Sequence, residues 1–335
     1  MPMRVIDVHN HYYPPVYIEA LERGPSTVRI TRDAAGNPCL HYPGDYNVAV
    51  PGHRDIDYRE QVLREAGVDT QVITLTTPGT HVEEPAAAAR LASLVNDAFA
   101  QVVADKHGRF AALATLPLND PAASVREFRR AVEQLKFPGA MLFSNVNGVA
   151  LYDRRFWRLY EVANELEAVL FIHPTNPVGV EAMLDYWLMP LVGFLCDTTL
   201  AASGLVFSGV VERFPQIRWI LGHLGGAIPY LAERLDRGYH AFADCRQNIA
   251  QPPTVYLKRY FYYDTVNFDP RAIELAISFA GEDHILAGSD YPHQIGSIPK
   301  MLDSIGQLRV SGEIQKKILG ENAARLLGIT APLST

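Results

Sequence analysis

Short runs of apolar and β-branched residues punctuate this chain, and amphipathic stretches with apolar positions three to four residues apart lie between them. The runs fall at residues 4–9, 70–75, 110–116, 139–143, 168–173, 218–222, 260–263 and 284–287. Helical patterns occupy 86–106, 121–135, 154–166, 200–213, 227–237 and 270–279. Many of the runs are uninterrupted rather than alternating, the pattern of strands covered on both faces of a parallel sheet. Eight such β-then-α units in 335 residues predict an α/β protein, a (β/α)8 TIM barrel forming one domain over 1–335. A doubly wound open sheet is the runner-up, but the first strand is not followed by the Gly-rich turn of a dinucleotide site.

Two segments break the rhythm. Residues 12–56, after the first strand, are rich in Pro, Gly and Tyr; residues 176–199, after the fifth, contain Trp187 and Met189. Loops that follow barrel strands lie on the catalytic face, so both insertions are expected to wall or cover a pocket, the first as a small lid or subdomain. A last helix at about 313–327 is expected to close the bottom of the barrel or pack on its side.

Apolar residues make up 48% of the chain and charged ones 20%, an ordinary globular composition. The net charge of −7 argues against nucleic acid as a partner, which would need a clustered basic face. No apolar run comes close to the ~20 residues that cross a bilayer, so no membrane partner is expected. Met1 to Arg4 lead straight into a strand without a signal-peptide pattern, and Cys39, Cys196 and Cys245 are odd in number and widely spaced. Reduced thiols and a cytoplasmic location follow as expectations.

Candidate chemistry gathers at the strand ends. Residues two apart on a strand share a face, so His9 and His11 point the same way at the end of the first strand. The fifth strand ends in His173, the sixth in His223 and the eighth in Asp290. In a barrel these ends share one rim, where the active site sits. Imidazoles and a carboxylate converging there suit Zn²⁺ best, with Mn²⁺ or Fe²⁺ as alternatives. A lone His after an apolar strand is more often structural; four with an Asp on one rim make that account awkward.

The stretches Asp7-Val8-His9-Asn10-His11, Phe171-Ile172-His173-Pro174, Gly222-His223-Leu224-Gly225-Gly226-Ala227-Ile228-Pro229-Tyr230 and Gly288-Ser289-Asp290-Tyr291-Pro292 resemble the amidohydrolase superfamily. More narrowly, they are similar to the aminocarboxymuconate-semialdehyde decarboxylase subfamily of metal-dependent, non-oxidative decarboxylases. The resemblance spans essentially the whole chain. It implies one divalent metal ion per subunit held by His9, His11, His173 and Asp290, with His223 as catalytic base and Asp290 sharing the proton traffic. Binuclear relatives use a carbamylated Lys at the end of the fourth strand; residues 139–145 contain no Lys, which favours a single ion.

The resemblance also implies that Arg234 holds a substrate carboxylate in a neighbouring subunit of a homodimer or higher homo-oligomer, and that Trp187 walls the pocket. Arg54 is a second candidate for anion binding. His293 stands three residues after Asp290, where the subfamily tends to carry Phe, and the stretch Asp197-Thr198-Thr199-Leu200-Ala201 looks more like the hydroxybenzoate and methylsalicylate branch. The expected substrate is a small aromatic or muconate-like carboxylic acid with an ortho oxygen or nitrogen group. A metal-dependent hydrolase or hydratase acting on a lactone, and a non-catalytic metal-stabilised barrel, are the competing readings.

Overall fold

The computed structural model describes residues 4–330; Met1 to Met3, read above as leading into the first strand, lie outside the described residues. Eight short parallel strands carry the fold: β1 (Ile6–Asp7), β2 (Thr70–Ile73), β3 (Phe110–Ala112), β4 (Gly139–Phe143), β5 (Val169–His173), β6 (Arg218–Leu221), β7 (Phe261–Asp264) and β8 (Ile285–Leu286). They pair in chain order, β1 to β3 in one sheet and β4 to β8 in another, with registers such as Ile6 opposite Thr70 and Leu170 opposite Trp219. Hydrogen bonds join the two sheets at both edges. Met141 N donates to Ala114 O at 2.9 Å beside β4, and Val8 N donates to Ala287 O at 2.9 Å between β1 and β8.

Most strand residues are fully buried, as their continuous apolar runs require. Close approach of the backbones has a local cause at Gly139, where a Cβ would lie 1.7 Å from the Val169 carbonyl oxygen. Five of the eight ladders stop one to four residues earlier than their apolar runs, β4 and β5 end with theirs, and β7 runs one residue further. Residues at the rim continue as single bridges, His11 with Thr74 and Asn10 with Tyr291, because the chain there turns to serve the loops.

Each strand is followed by a helix: α1 (Ile56–Ala66), α2 (Pro85–Asp105), α3 (Pro121–Glu133), α4 (Trp157–Glu165), α5 (Phe194–Phe207), α6 (Ile228–Ala241), α7 (Pro270–Ala280) and α8 (Ile298–Gly306). Several starts are written in the sequence. Asp120 precedes Pro121 and accepts from Ala123 N, and Asp269 precedes Pro270 and accepts from Arg271 N, pairing an N-cap carboxylate with Pro at the first helical position. The final helix is broken into Gly312–Lys316, a π-helical turn Lys317–Glu321 and Asn322–Leu327.

Segment 12–56 folds into a helix, Pro15–Arg23, and an antiparallel sheet of Arg29–Arg32, Pro38–Tyr42 and Asp45–Val48. Its tyrosines tie it to the loop after β2: Tyr17 Oη donates to Gly79 O at 2.6 Å and Tyr42 Oη to Thr77 Oγ1 at 2.9 Å. Segment 176–199 is less irregular than its composition suggests. A π-helical turn, Met189–Gly193, runs directly into α5, which itself begins six residues before the expected start at 200; Gly209 in the left-handed region then ends this stretch ahead of Val210–Arg213.

That continuous stretch also corrects the expectation about apolar runs. Met189–Phe207, 19 residues with mean hydropathy 1.5, is long and apolar enough to cross a membrane by length and composition. Periodic small and polar residues hid it: Asp197, Thr198, Thr199, Ala201, Ala202, Leu205 and Val206 are buried against the fold, while Leu191, Val192 and Leu200 face outwards.

One buried titratable group lies off this frame. His81, after β2, packs on the Phe143 ring at 4.7 Å between centroids, and burial pulls its imidazole down to about 4 from an ordinary 6.5. Above pH 6.5 it is neutral in folded and unfolded chains alike. As pH falls from 6.5 to 4 the unfolded chain takes up a proton that the folded chain refuses, a loss of about 3 kcal/mol of stability over that window. Urea unfolding at pH 7 and pH 4.5 is expected to show His81→Leu losing less stability on acidification than the parent; equal losses would remove this account.

Candidate metal centre

The end of β1 illustrates how alternation builds the site. Asp7, His9 and His11 share one face, and Asn10 turns the other way, donating to the carbonyls of Asp7 (3.1 Å) and Val72 (3.2 Å). Asp7 lies one layer deeper, accepting from Ser289 Oγ at 2.6 Å and Gln71 Nε2 at 2.7 Å, and so fixes β1 against both of its neighbours. His173 comes in from β5, His223 from the turn after β6, and Asp290 from the turn after β8.

These side chains meet. His9, His11, His173 and Asp290 are buried, and one ligand atom from each lies within 4.8 Å of the others. Such crowding suits groups that bond one ion at ~2.0–2.2 Å. The ring centroids of His9 and His11 are 5.1 Å apart, and those of His11 and His173 are 4.6 Å apart. His11 Nε2 lies 3.1 Å from Asp290 Oδ1, and His9 Nε2 lies 3.3 Å from the same oxygen.

Two details show that these imidazoles are set for a cation. His173 Nδ1 is 2.7 Å from the Pro174 carbonyl, which takes the ring proton there and leaves Nε2 as the lone pair. That Nε2, and Nε2 of His9, are buried without a hydrogen-bond partner. An orphaned buried nitrogen costs roughly 1–3 kcal/mol, so two of them aimed at one point need a common occupant.

The electrostatics agree. Burial drives His11 and His173 well below the usual imidazole range, helped by their neighbouring imidazoles, so they are neutral donors. His9 goes the other way. Burial opposes its charge, yet the Asp264 and Asp290 carboxylates raise it to about 10, and a cation bound at Nε2 would take the place of that proton. Burial pushes the Asp290 carboxyl up, but the imidazoles of His11, His223 and His9 around it outweigh this and hold it well below the ordinary carboxylate range. The pocket thus carries anionic charge that a divalent cation would balance. Three imidazole nitrogens and one carboxylate form a donor set suited to Zn²⁺, Mn²⁺ or Fe²⁺.

His223 stands beside the group rather than within it. Its Nε2 is 3.9 Å from Asp290 Oδ2, its ring is 5.0 Å from that of His9, and its Nδ1 has no partner. Its backbone is strained: φ is 53° at His223, 57° at Leu224 and 56° at Asp290, the left-handed region that non-glycine residues avoid. Asp264 holds the first of these turns, accepting from His223 N at 3.1 Å and Leu224 N at 2.9 Å.

Of the other expected residues, only His293 lies at the cluster, with its ring 4.8 Å from His11 and Nε2 3.4 Å from Thr76 Oγ1. Arg54 binds the Ala49 carbonyl at 3.0 Å and Asn37 Oδ1 at 3.3 Å, so its guanidinium braces segment 12–56. Trp187 is 58% exposed and its ring approaches Tyr46 at 6.1 Å. Arg234 is exposed on α6, outside the cluster of this chain.

Three contributors escaped the sequence reading. Asp264 ends β7, where the rule that strand ends face the rim would have found it; its Oδ2 lies 2.5 Å from His9 Nδ1 and fixes that ring. Arg59 looks like a solvated helix residue, yet it is fully buried, bonding Asn10 Oδ1 at 2.9 Å, Gln71 Oε1 at 2.8 Å and the His11 carbonyl. His53 sits in the insertion with neither ring nitrogen partnered.

Among known proteins, the family described as Amidohydrolase matches residues 6–329. The chain is 34% identical over 279 residues to 2-amino-3-carboxymuconate-6-semialdehyde decarboxylase of Dictyostelium discoideum, covering 82% of this chain and 77% of that protein. It is 30% identical over 297 residues to 6-methylsalicylic acid decarboxylase of Penicillium expansum, covering 87% and 86%. Among solved structures, 5-carboxyvanillate decarboxylase from Sphingomonas paucimobilis superposes with a TM-score of 0.84 at 27% identity, over 98% of this chain and 100% of that one.

Replacing Asp264 by Asn keeps an acceptor for the backbone amides but removes the charge behind His9. Metal titration followed by elemental analysis is expected to show affinity lowered about 10–100-fold with the far-ultraviolet spectrum unchanged. Unaltered affinity would mean that Asp264 does not support the ligand.

Proposed function

Because the chain belongs to the amidohydrolase family, we propose that the protein is a metal-dependent, non-oxidative carboxy-lyase acting on an aromatic or muconate-like acid with an ortho oxygen or nitrogen group. The observation that carries this reading is the buried set of His9, His11, His173 and Asp290 with the unpartnered His223 at its edge. Its relatives named above are decarboxylases of small unsaturated or aromatic acids. The lactone-hydrolase alternative has no counterpart among them.

The eight strands and their edge hydrogen bonds read together as one (β/α)8 barrel over a single domain, with segment 12–56 as a lid beside the rim. His9, His11, His173 and Asp290 would hold one divalent ion per subunit, zinc in preference to manganese or iron(II). When bound, it would orient the substrate's oxygens and draw electron density from the ring. Breaking the bond from ring carbon to carboxylate releases CO2 and leaves the electron pair on that carbon, which must then take a proton. His223, with Nε2 3.9 Å from Asp290 Oδ2 and Nδ1 unpartnered, would give carbon that proton and regain one from solvent after CO2 leaves, with Asp290 sharing the traffic. The apolar rings of Phe171 and Phe194 pack on His9 and His223 and limit water at the reacting carbon.

A homodimer accounts for the outer surface. Leu184, Tyr186 and Trp187 on segment 176–199, and Tyr230 on α6, are exposed apolar groups, with Tyr186 at 86% and Tyr230 at 80%. Exposed apolar side chains of this size are the kind that a second copy covers. Arg234 lies on the same helix as Tyr230, and in the dimer it would reach the partner's pocket and hold the substrate carboxylate. Trp187 and His293 would wall the pocket, and Arg54 acts through the lid it braces. Three free cysteines fit a cytoplasmic setting.

Incubation with hydroxybenzoates is expected to release CO2 without uptake of water. Chelation, or acidification through the imidazole range, should remove metal and turnover together, with readded Zn²⁺ or Mn²⁺ restoring both. Full turnover in metal-stripped protein, or acid production from lactones in place of CO2, would overturn the assignment. For the dimer, mixing inactive His173→Ala and Arg234→Ala subunits should regenerate turnover, since one hybrid site keeps all its ligands and receives an intact Arg. No recovery would place Arg234 outside the site.

A further inference from the structure

β2 supplies no candidate ligand, yet the chain just beyond it carries three buried hydroxyls, on Thr74, Thr76 and Thr77. Thr77 Oγ1 accepts from Tyr42 Oη and Asn47 Nδ2, both at 2.9 Å, and so holds segment 12–56. Thr76 Oγ1 lies 3.4 Å from His293 Nε2. Thr74 reaches the ligand cluster itself: its Oγ1 is 2.7 Å from the Asn10 carbonyl oxygen and 3.3 Å from His11 Nδ1.

The direction of these two bonds follows from counting protons. A hydroxyl owns one proton and two lone pairs, and a carbonyl can only accept. The proton therefore lies on the shorter contact, to Asn10, and the hydroxyl turns a lone pair to the ring. His11 Nδ1 must then donate. In a neutral ring that leaves the lone pair on Nε2, the nitrogen 3.1 Å from Asp290 Oδ1. The reverse arrangement puts the ring proton on Nε2, where a cation would bind, and takes the Thr74 donor away from a buried carbonyl.

The groups are held too firmly to drift out of this choice. Thr74 and His11 face each other across a parallel bridge, and Tyr12 N donates to Thr74 O at 2.9 Å. The Asn10 side chain is bonded to Asp7 O, Val72 O and Arg59 Nη1, which fixes the carbonyl that Thr74 serves. The other two ligand imidazoles need no such device. His9 Nδ1 faces the Asp264 carboxylate and His173 Nδ1 faces the Pro174 carbonyl, groups that only accept. His11 alone leans on a group that can donate as well as accept, so there a further contact decides the tautomer.

We propose that Thr74 is a positioning residue: by giving its one proton to the Asn10 carbonyl it sets the His11 tautomer with the lone pair on Nε2, ready for a divalent cation. This rests on the metal-dependent reading above and assigns the group that prepares one of its ligands.

Nitrogen-15 NMR of protein labelled at histidine reads the tautomer directly, with His11 identified by the signals lost in His11→Gln. The metal-free parent at neutral pH is expected to carry the His11 proton on Nδ1. In Thr74→Val the proton should move to Nε2, and Zn²⁺ affinity, measured against a chromophoric chelator, should fall about tenfold. Thr74→Ser, which keeps the hydroxyl, should retain both the parent tautomer and the parent affinity. A purely structural threonine would lower the melting temperature and leave the tautomer alone. A metal-free parent already protonated on Nε2 would overturn the proposal without any variant having to fold. An unchanged tautomer and affinity in Thr74→Val would overturn it while leaving the metal-dependent reading intact. A parent that binds no Zn²⁺ or Mn²⁺ would remove that reading and the proposal with it.

Discussion

The contact on which the site depends is the buried carboxylate of Asp264 against His9, 2.5 Å from Oδ2 to Nδ1 with no water access to either group. It holds one ligand ring in a single orientation, and the same carboxylate collects the backbone amides of His223, Leu224 and Val266. One side chain at the end of β7 therefore sets the ring on β1 and the strained turn after β6. A buried charge with this many donors is stable where it stands and costly to disturb.

The second constraint is the sign of the pocket. The Asp264 and Asp290 carboxylates face buried imidazoles, and they raise His9 against the pull of burial. A low-dielectric interior magnifies such an imbalance, and a divalent cation held there would offset the repulsion of the acids and partner the orphaned nitrogens of His9 and His173. Arg59 sits behind the cluster, between the rings of Tyr12 and Tyr291, and anchors the His11 carbonyl; burial lowers it to about 10, which still leaves it charged at neutral pH. The metal-facing layer is thus backed by a second layer of fixed charges and amide groups.

The two interruptions of the βα rhythm lie beside this rigid floor. Segment 12–56 brings His53 over the rim beside His293, and segment 176–199 presents Trp187 and Tyr186 to the outside. Asp197 ties the second segment to the end of β4 through Ser144 and Asn145. The candidate ligands are thereby held at strand ends, the part of such a scaffold that stays fixed while its loops vary.

How far the chain announces itself follows from the range of the forces involved. Strand runs, helix starts such as Asp120-Pro121, and the rim positions of His9, His11, His173, His223 and Asp290 are local: alternation along a strand and the capping of a helix act over a few residues, so they can be read in order. Asp264 obeyed the same rule and was within reach of it. Arg59, His53 and the buried face of Met189–Phe207 were not, because burial there is decided by residues far away in sequence: Gln71 and Asn10 for Arg59, Tyr13 and His293 for His53. The amino-acid order alone determined which groups stand at the strand ends; only the tertiary structure decided which of their atoms are left unpaired at a common point, since hydrogen-bond satisfaction depends on neighbours that chain order does not specify.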